Sequence, residues 1–178
     1  MSTLAVNTIQ AQTGTTVSVA SGQTLHAPGH VIQVVEGAVT GSSSTQSTSY
    51  IDTGLSASIT PKFTSSKILV RMDAYAYNSV SGYNNFLMLV RGTTPIGHGG
   101  AGNTDNDNAS AFAIAHCGLD GRDGSFSVSV LDSPTTTSAT TYKIRFRSEA
   151  GSDTAYFNYI ANTTTRPRST LTLMEIAQ

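Results

Sequence analysis

The sequence predicts an all-β fold: a jelly-roll-like antiparallel β-sandwich preceded by a short extended β arm at the N-terminus. Three observations predict it. Several segments alternate apolar and polar residues with a period of two, as half-buried strands do. No segment carries a sustained helical stripe with caps. The composition favours strands: Ser and Thr make up roughly a quarter of the chain, well above ordinary usage, and charged residues only 12%.

The arm comes first. Residues 1–25 alternate small apolar residues with uncharged polar ones, with Gly14 and Gly22 marking turns, and contain no Lys, Arg, Asp, Glu or aromatic residue. The pattern reads as two short strands that cannot build a core. A two-stranded ribbon alone is at best marginally stable, and its edges lack the Lys or Pro that protect exposed strands. Identical copies, or the surface of a larger assembly, would complete it. Leu4, Val6, Ile9, Val17 and Val19 are the residues expected to make that contact.

His26-Ala-Pro28-Gly29-His30 is a turn or hinge, because Pro lacks the backbone N–H and Gly tolerates positive φ. The boundary falls there, giving an arm over 1–28 and a sandwich over 29–178. The body opens on Val31–Val35, a β-branched run that reads as a buried strand. Candidate strands cover 31–40, 50–59, 67–77, 84–91, 111–117, 125–131, 141–147, 155–160 and 169–176. The clearest alternation puts Ile68, Val70, Met72 and Ala74 on one face. Tyr142, Ile144 and Phe146 share a face, with Lys143, Arg145 and Arg147 opposite. Phe126, Val128 and Val130, and Leu171, Leu173 and Glu175, follow the same rule. Polar turn-rich loops separate them, the longest over 41–47, 97–108 and 132–138. About eight strands in the body make a jelly roll the best single topology.

The bulk properties exclude several classes. A net charge of -1 gives no electrostatic case for nucleic acid. No apolar run approaches a membrane span, and no basic segment followed by an apolar one marks a signal peptide, so assembly in a cytoplasm is expected. The single Cys117 rules out an internal disulfide framework and a Cys-based zinc site. Cys117 and His116 are adjacent on a strand and would face opposite ways, so the Cys reads as a small buried hydrophobe. The glycines at 97, 99, 100 and 102 lack the Lys-Ser/Thr and the helix of a phosphate loop. No Gly-x-Ser-x-Gly elbow and no convincing carboxylate pair occur. No catalytic residue and no cofactor are expected.

Two binding chemistries are weighed. Asp105 and Asp107, within Asn103–Asn108, place oxygen ligands at alternating positions, as a calcium loop does. The loop lacks the Gly and distal Glu of an EF-hand, and Asp and Asn also favour turns for local reasons, so no metal is expected. His26, His30, His98 and His116 read as ordinary loop histidines, although an axial His ring in a symmetric trimer could hold a metal. Tyr75, Tyr77 and Tyr83 lie near Asn78, Asn84 and Asn85, a composition suited to stacking on a glycan. Tyr on a strand is more often a sheet residue with one wet end.

The opening Met1–Val17 resembles the start of virion proteins of tailed bacteriophages. The body resembles a domain common in them, through Gly29–Val35, Tyr50–Pro61, Ser65–Val70, Leu131–Pro134, Thr140–Lys143 and Ser169–Ile176. The resemblance spans nearly the whole chain and implies a non-enzymatic, homotrimeric structural protein of the virion, assembled in the host cytoplasm. It leaves open which part of the particle. A capsid decoration, or cement, protein would contact the major capsid protein. A short tail fibre would contact tail proteins and a host surface glycan. A fibre needs a long shaft, whereas this arm reaches roughly 80 Å at most, which favours attachment to a nearby surface.

Overall fold

The computed structural model describes residues 9–11, 13–98, 112–116 (113–116 by backbone alone), 124–160 and 166–178. Leu4, Val6, Asp105, Asp107 and Cys117 lie outside these residues, as does the side chain of His116.

The described residues form eleven strands: β1 (Val31–Val39), β2 (Ser43–Thr45), β3 (Ile51–Ile59), β4 (Lys67–Asn78), β5 (Asn84–Arg91), β6 (Thr94–Ile96), β7 (Ala113–His116), β8 (Gly124–Asp132), β9 (Thr140–Arg147), β10 (Ala155–Phe157) and β11 (Ser169–Ile176). Eight of them pair as one long folded hairpin. β1 pairs β11, β3 pairs β9, β4 pairs β8 and β5 pairs β7, all antiparallel. The hairpin is then rolled, so that β11 lies beside β4 and β9 beside β5. The result is two sheets, β1-β11-β4-β8 and β3-β9-β5-β7. This nesting is the jelly-roll arrangement of a double-sheet sandwich. The short β10 and β2 extend the first sheet beyond β11, and β6 borders β5 in the second.

The core fills the space between the sheets with the residues that alternation assigns to it. Ile68, Val70 and Met72 of β4, Tyr142 and Ile144 of β9, and Leu171 and Leu173 of β11 are wholly buried. Leu55, Leu87, Leu89, Phe146 and Phe157 complete the layer, and Phe126, Val128 and Val130 pack against it at its margin. The second sheet also covers its outer face. Phe86, Met88 and Val90 of β5 are opposite Arg147, Arg145 and Lys143 of β9 and are buried. Long basic side chains can lay their stems over apolar neighbours in this way.

Backbone specials fall where strands bend. β3 bulges between Asp52 and Ser56, where Gly54 has φ +88° and the buried Thr53 hydroxyl donates to the Ile144 carbonyl at 2.7 Å. Only a residue without Cβ adopts that φ at little cost. β1 comes so close to β3 at Gly37 that an added Cβ would lie 1.9 Å from the Ser56 carbonyl oxygen.

Four expectations need correction. The described part of the arm, residues 9–11 and 13–30, contains no strand, although Gly14 and Gly22 do turn with φ +76° and +81°. An isolated ribbon has no second layer to pack on, so nothing in one chain sustains the pairing. The run Val31–Val35 is not a buried strand: β1 is an edge strand, and Val31 and Val34 are more than half exposed. The strand expected over 155–160 ends at Phe157, because Asn158 turns with φ +57°. Arg147 does not sit on a solvated face; it is 2% exposed, with its guanidinium 4.1 Å over the Phe86 ring.

Candidate interaction surfaces

The outer face of the first sheet changes character along its length, and the strand register shows how. At one end the rows are apolar. Val34 of β1 faces Met174 of β11, which faces Leu69 of β4, which faces Leu131 of β8. Below this row Val31 faces Ile176, which faces Lys67 of β4. The next rows are polar. Glu36, Thr172, Arg71 and Ser129 form one, and Ala38, Thr170, Asp73 and Ser127 the other. Charges in them are matched locally. Arg71 grips both oxygens of Asp73 at 2.9 and 3.0 Å, and Arg168 pairs with Glu36. The Arg71 contact, helped by Ser127, holds the Asp73 carboxyl below its usual range.

The far end is aromatic. Tyr77 of β4 lies opposite Tyr156 of β10, their rings 5.4 Å apart. Tyr159 stacks on Tyr156 at 4.7 Å and also meets Tyr77 at 5.6 Å. The Arg166 guanidinium lies 4.7 Å over the Tyr159 ring. Tyr75, two residues from Tyr77 on the same face, lines an open groove of about 470 Å³ with Asp73, Ser125, Ser127 and Arg168. The structure therefore brings Tyr75 and Tyr77 to one face, while Tyr83 sits in the turn joining β4 to β5. Sequence reasoning missed Tyr156, Tyr159 and Arg166. Their signal was an aromatic pair at spacing three around Asn158, whose αL turn swings Tyr159 back over the strand.

Buried polar groups close the two ends of the sandwich. Glu175, fully buried, accepts hydrogen bonds from Gln33 Nε2 at 2.6 Å and from the Lys62 backbone N–H at 2.7 Å. Burial alone would raise its pKa. The bonds from Gln33, Lys62 and Phe63 outweigh that and hold it below the ordinary glutamate value. At the other end Asp153 accepts from Asn78 Nδ2 and Ser148 Oγ, both at 2.6 Å, and from the Ala150 N–H at 3.0 Å. There too burial is outweighed and the carboxyl is held low. Asp132 accepts from Arg91 Nη1 on both oxygens, each at 2.8 Å, and from the Tyr142 hydroxyl at 2.7 Å. Burial, then the neighbouring carboxylate, pushes that phenol well above its ordinary pKa. Each of these carboxylates is held by fixed donors and ties strands or turns together.

The arm joins the body beside the apolar end. Gly29 N–H donates to Ala177 O at 2.9 Å, and Ala177 N–H to His30 O at 3.0 Å. The His26 ring packs edge-on against Phe63 at 4.5 Å. Upstream, Ile9 is 73% exposed, and Val17, Val19 and Leu25 are at least half exposed. Three of the residues expected to make assembly contacts, Ile9, Val17 and Val19, thus stand in solvent in one chain. Among the described residues, no three His, Cys, Asp or Glu side chains cluster as a metal site.

No protein-family model matches the chain, and a comparison with curated proteins found no match.

Proposed function

We propose that this chain is a non-enzymatic structural protein of a tailed-phage virion. In this reading it forms a homotrimeric capsid decoration that binds the outside of the head through its arm and stabilises the shell. The observation that carries the proposal is the arm: an uncharged segment with exposed Ile9, Val17 and Val19, rooted on a body whose core is complete without it. Such a segment gains little alone and much on a partner surface, where backbone hydrogen bonds and alternate side chains can both be satisfied. Among the described residues the carboxylates are engaged in ion pairs or hydrogen bonds, and the resemblance of Met1–Val17 and the body segments to phage virion proteins supports the same reading. The role is mechanical: many copies bridge capsid subunits. Removing residues 1–25 should leave a folded body that no longer binds heads lacking the protein. Undiminished binding by the truncated form refutes the proposal.

A second reading is favoured by the tyrosine end of the first sheet. Half-buried tyrosine rings beside a polar groove suit the edge of a sugar ring, so a short tail fibre that binds host polysaccharide there is the alternative. Staining of host cells by labelled protein, lost on Tyr156→Ala and Tyr77→Ala, would favour it over decoration.

A further inference from the structure

We propose that the apolar end of the first sheet's outer face is the seat for the arm of a second copy of this chain. This rests on the homotrimer part of the proposed function and not on capsid binding. Six residues from four strands form the seat: Val31, Val34, Leu69, Leu131, Met174 and Ile176. Val34 is 57% exposed, Val31 51% and Leu131 48%; the other three are half-buried. Contiguous apolar surface rimmed by polar rows marks an interaction site. β1 lies at the sheet edge and contains neither Lys nor Pro; its edge protection is confined to Glu36 and the register shift between Val31 and Gln33.

Three features of the molecule point to the arm of a second copy as the occupant. First, the arm is the other large unpartnered apolar feature described. Val17 and Val19 stand two residues apart, the spacing that puts both on one face of an extended segment. Second, charge matches. Residues 9–30 include no Lys, Arg, Asp or Glu; of the charges bordering the seat, Arg71–Asp73 and Glu36–Arg168 are paired, and Lys67 lies beside Ile176 with a stem long enough to keep its ammonium in water. An uncharged partner leaves these pairs intact and buries no charge of its own. Third, position and reach fit. The arm is rooted at the same end of the sheet, through Gly29 and Ala177. From His30 back to Ile9 it spans up to about 70 Å extended, against about 30 Å for a nine-residue strand. That length passes beyond its own body to a neighbour's, and in each body the seat lies next to the root of that body's own arm. Repeated head-to-tail about an axis, each arm would fill the next copy's seat and the ring would close.

The full-length chain tests this with a photo-crosslinking residue in place of Val34. After irradiation a denaturing gel separates products, and mass spectrometry identifies the joined peptides. The expected product has the mass of two chains and joins position 34 to residues 9–25. Product of one-chain mass, junctions to the body of the second copy, or no product from a self-associated sample each overturn the proposal. Independently, Val34→Asp and Val17→Asp should each weaken self-association at least tenfold by sedimentation, because each puts a charge into a dry contact. Both positions are exposed in the single chain, so circular dichroism should be unchanged. Unaltered association in both variants also overturns it. A trimer without the arm junction would leave the decoration role standing. An arm-linked trimer that fails to bind heads would remove that role and leave this contact.

Discussion

Glu175 offers the sharpest test of how the body holds the root of the arm. Its carboxylate fastens Gln33 of β1 and the backbone of Lys62 and Phe63, in the turn from β3 to β4, to the last strand. That turn carries Phe63, on which His26 packs. In Glu175→Gln the shape survives but one of two acceptor oxygens becomes a donor. Gln33 Nε2 already donates to Thr60 O at 2.7 Å, so its amide cannot turn over without losing that bond. The variant loses at least one charge-assisted bond and leaves one buried donor facing another, a cost of about 2–4 kcal/mol. For a chain of this size that lowers Tm by roughly 4–16 °C. The sign with pH follows from the depressed pKa. The folded value lies below the unfolded one of 4.5, so the carboxylate's contribution is complete above that pH and lost as pH falls through the folded value. Urea unfolding of the wild type and variant, followed by circular dichroism, should show the full gap at pH 7 and a shrinking gap below about pH 4. A gap under about 0.5 kcal/mol at pH 7, or one that widens on acidification, refutes the reasoning.

Other consequences follow from single contacts. Gly37→Ala must push β1 and β3 apart by more than about 1 Å and should cost about 3 kcal/mol or more in chemical denaturation, because backbone and not a flexible side chain is in the way. Leu171→Ala, at the centre of the core, should cost about 2–5 kcal/mol. Chains lacking residues 1–25 should unfold cooperatively with a midpoint close to that of the full chain at low concentration, since every core residue lies downstream. Arg147→Ala should destabilise by about 2 kcal/mol through lost packing over Phe86, and Arg147→Lys should not restore it, because a planar guanidinium is what stacks on the ring.

Much of the body was legible in the sequence because burial there follows a strict period of two. β4, β9 and β11 each put the expected residues inward, and their ends fall within a residue or so of the alternation. β2 and β6 were missed. Three residues give no period to read, and Ser43–Thr45 and Thr94–Ile96 look like the turns around them. The apolar run at the start of β1 was misjudged for a different reason. A run of Val and Ile records that a surface is destined for burial, not whether its own chain supplies the cover. Val31 and Val34 face away from the core, and the same residues form the proposed seat for a second copy. The aromatic cluster was half visible: Tyr75 and Tyr77 share a face by parity, whereas Tyr156 and Tyr159 reach it through a pairing of β10 with β4 separated by nearly eighty residues. The arm's Val17 and Val19 stand exposed in the single chain, and the pairing proposed for them would lie with a second copy.

The proposed function requires that a tailed phage encode this chain, and its most direct test is the abundance and position of the chain in purified particles of such a phage. Quantitative mass spectrometry against the major capsid protein, with antibody labelling in the electron microscope, measures both. The decoration account predicts label over the whole head and copies on the order of those of the capsid protein. A few copies confined to the tail, or none in the particle, would contradict it.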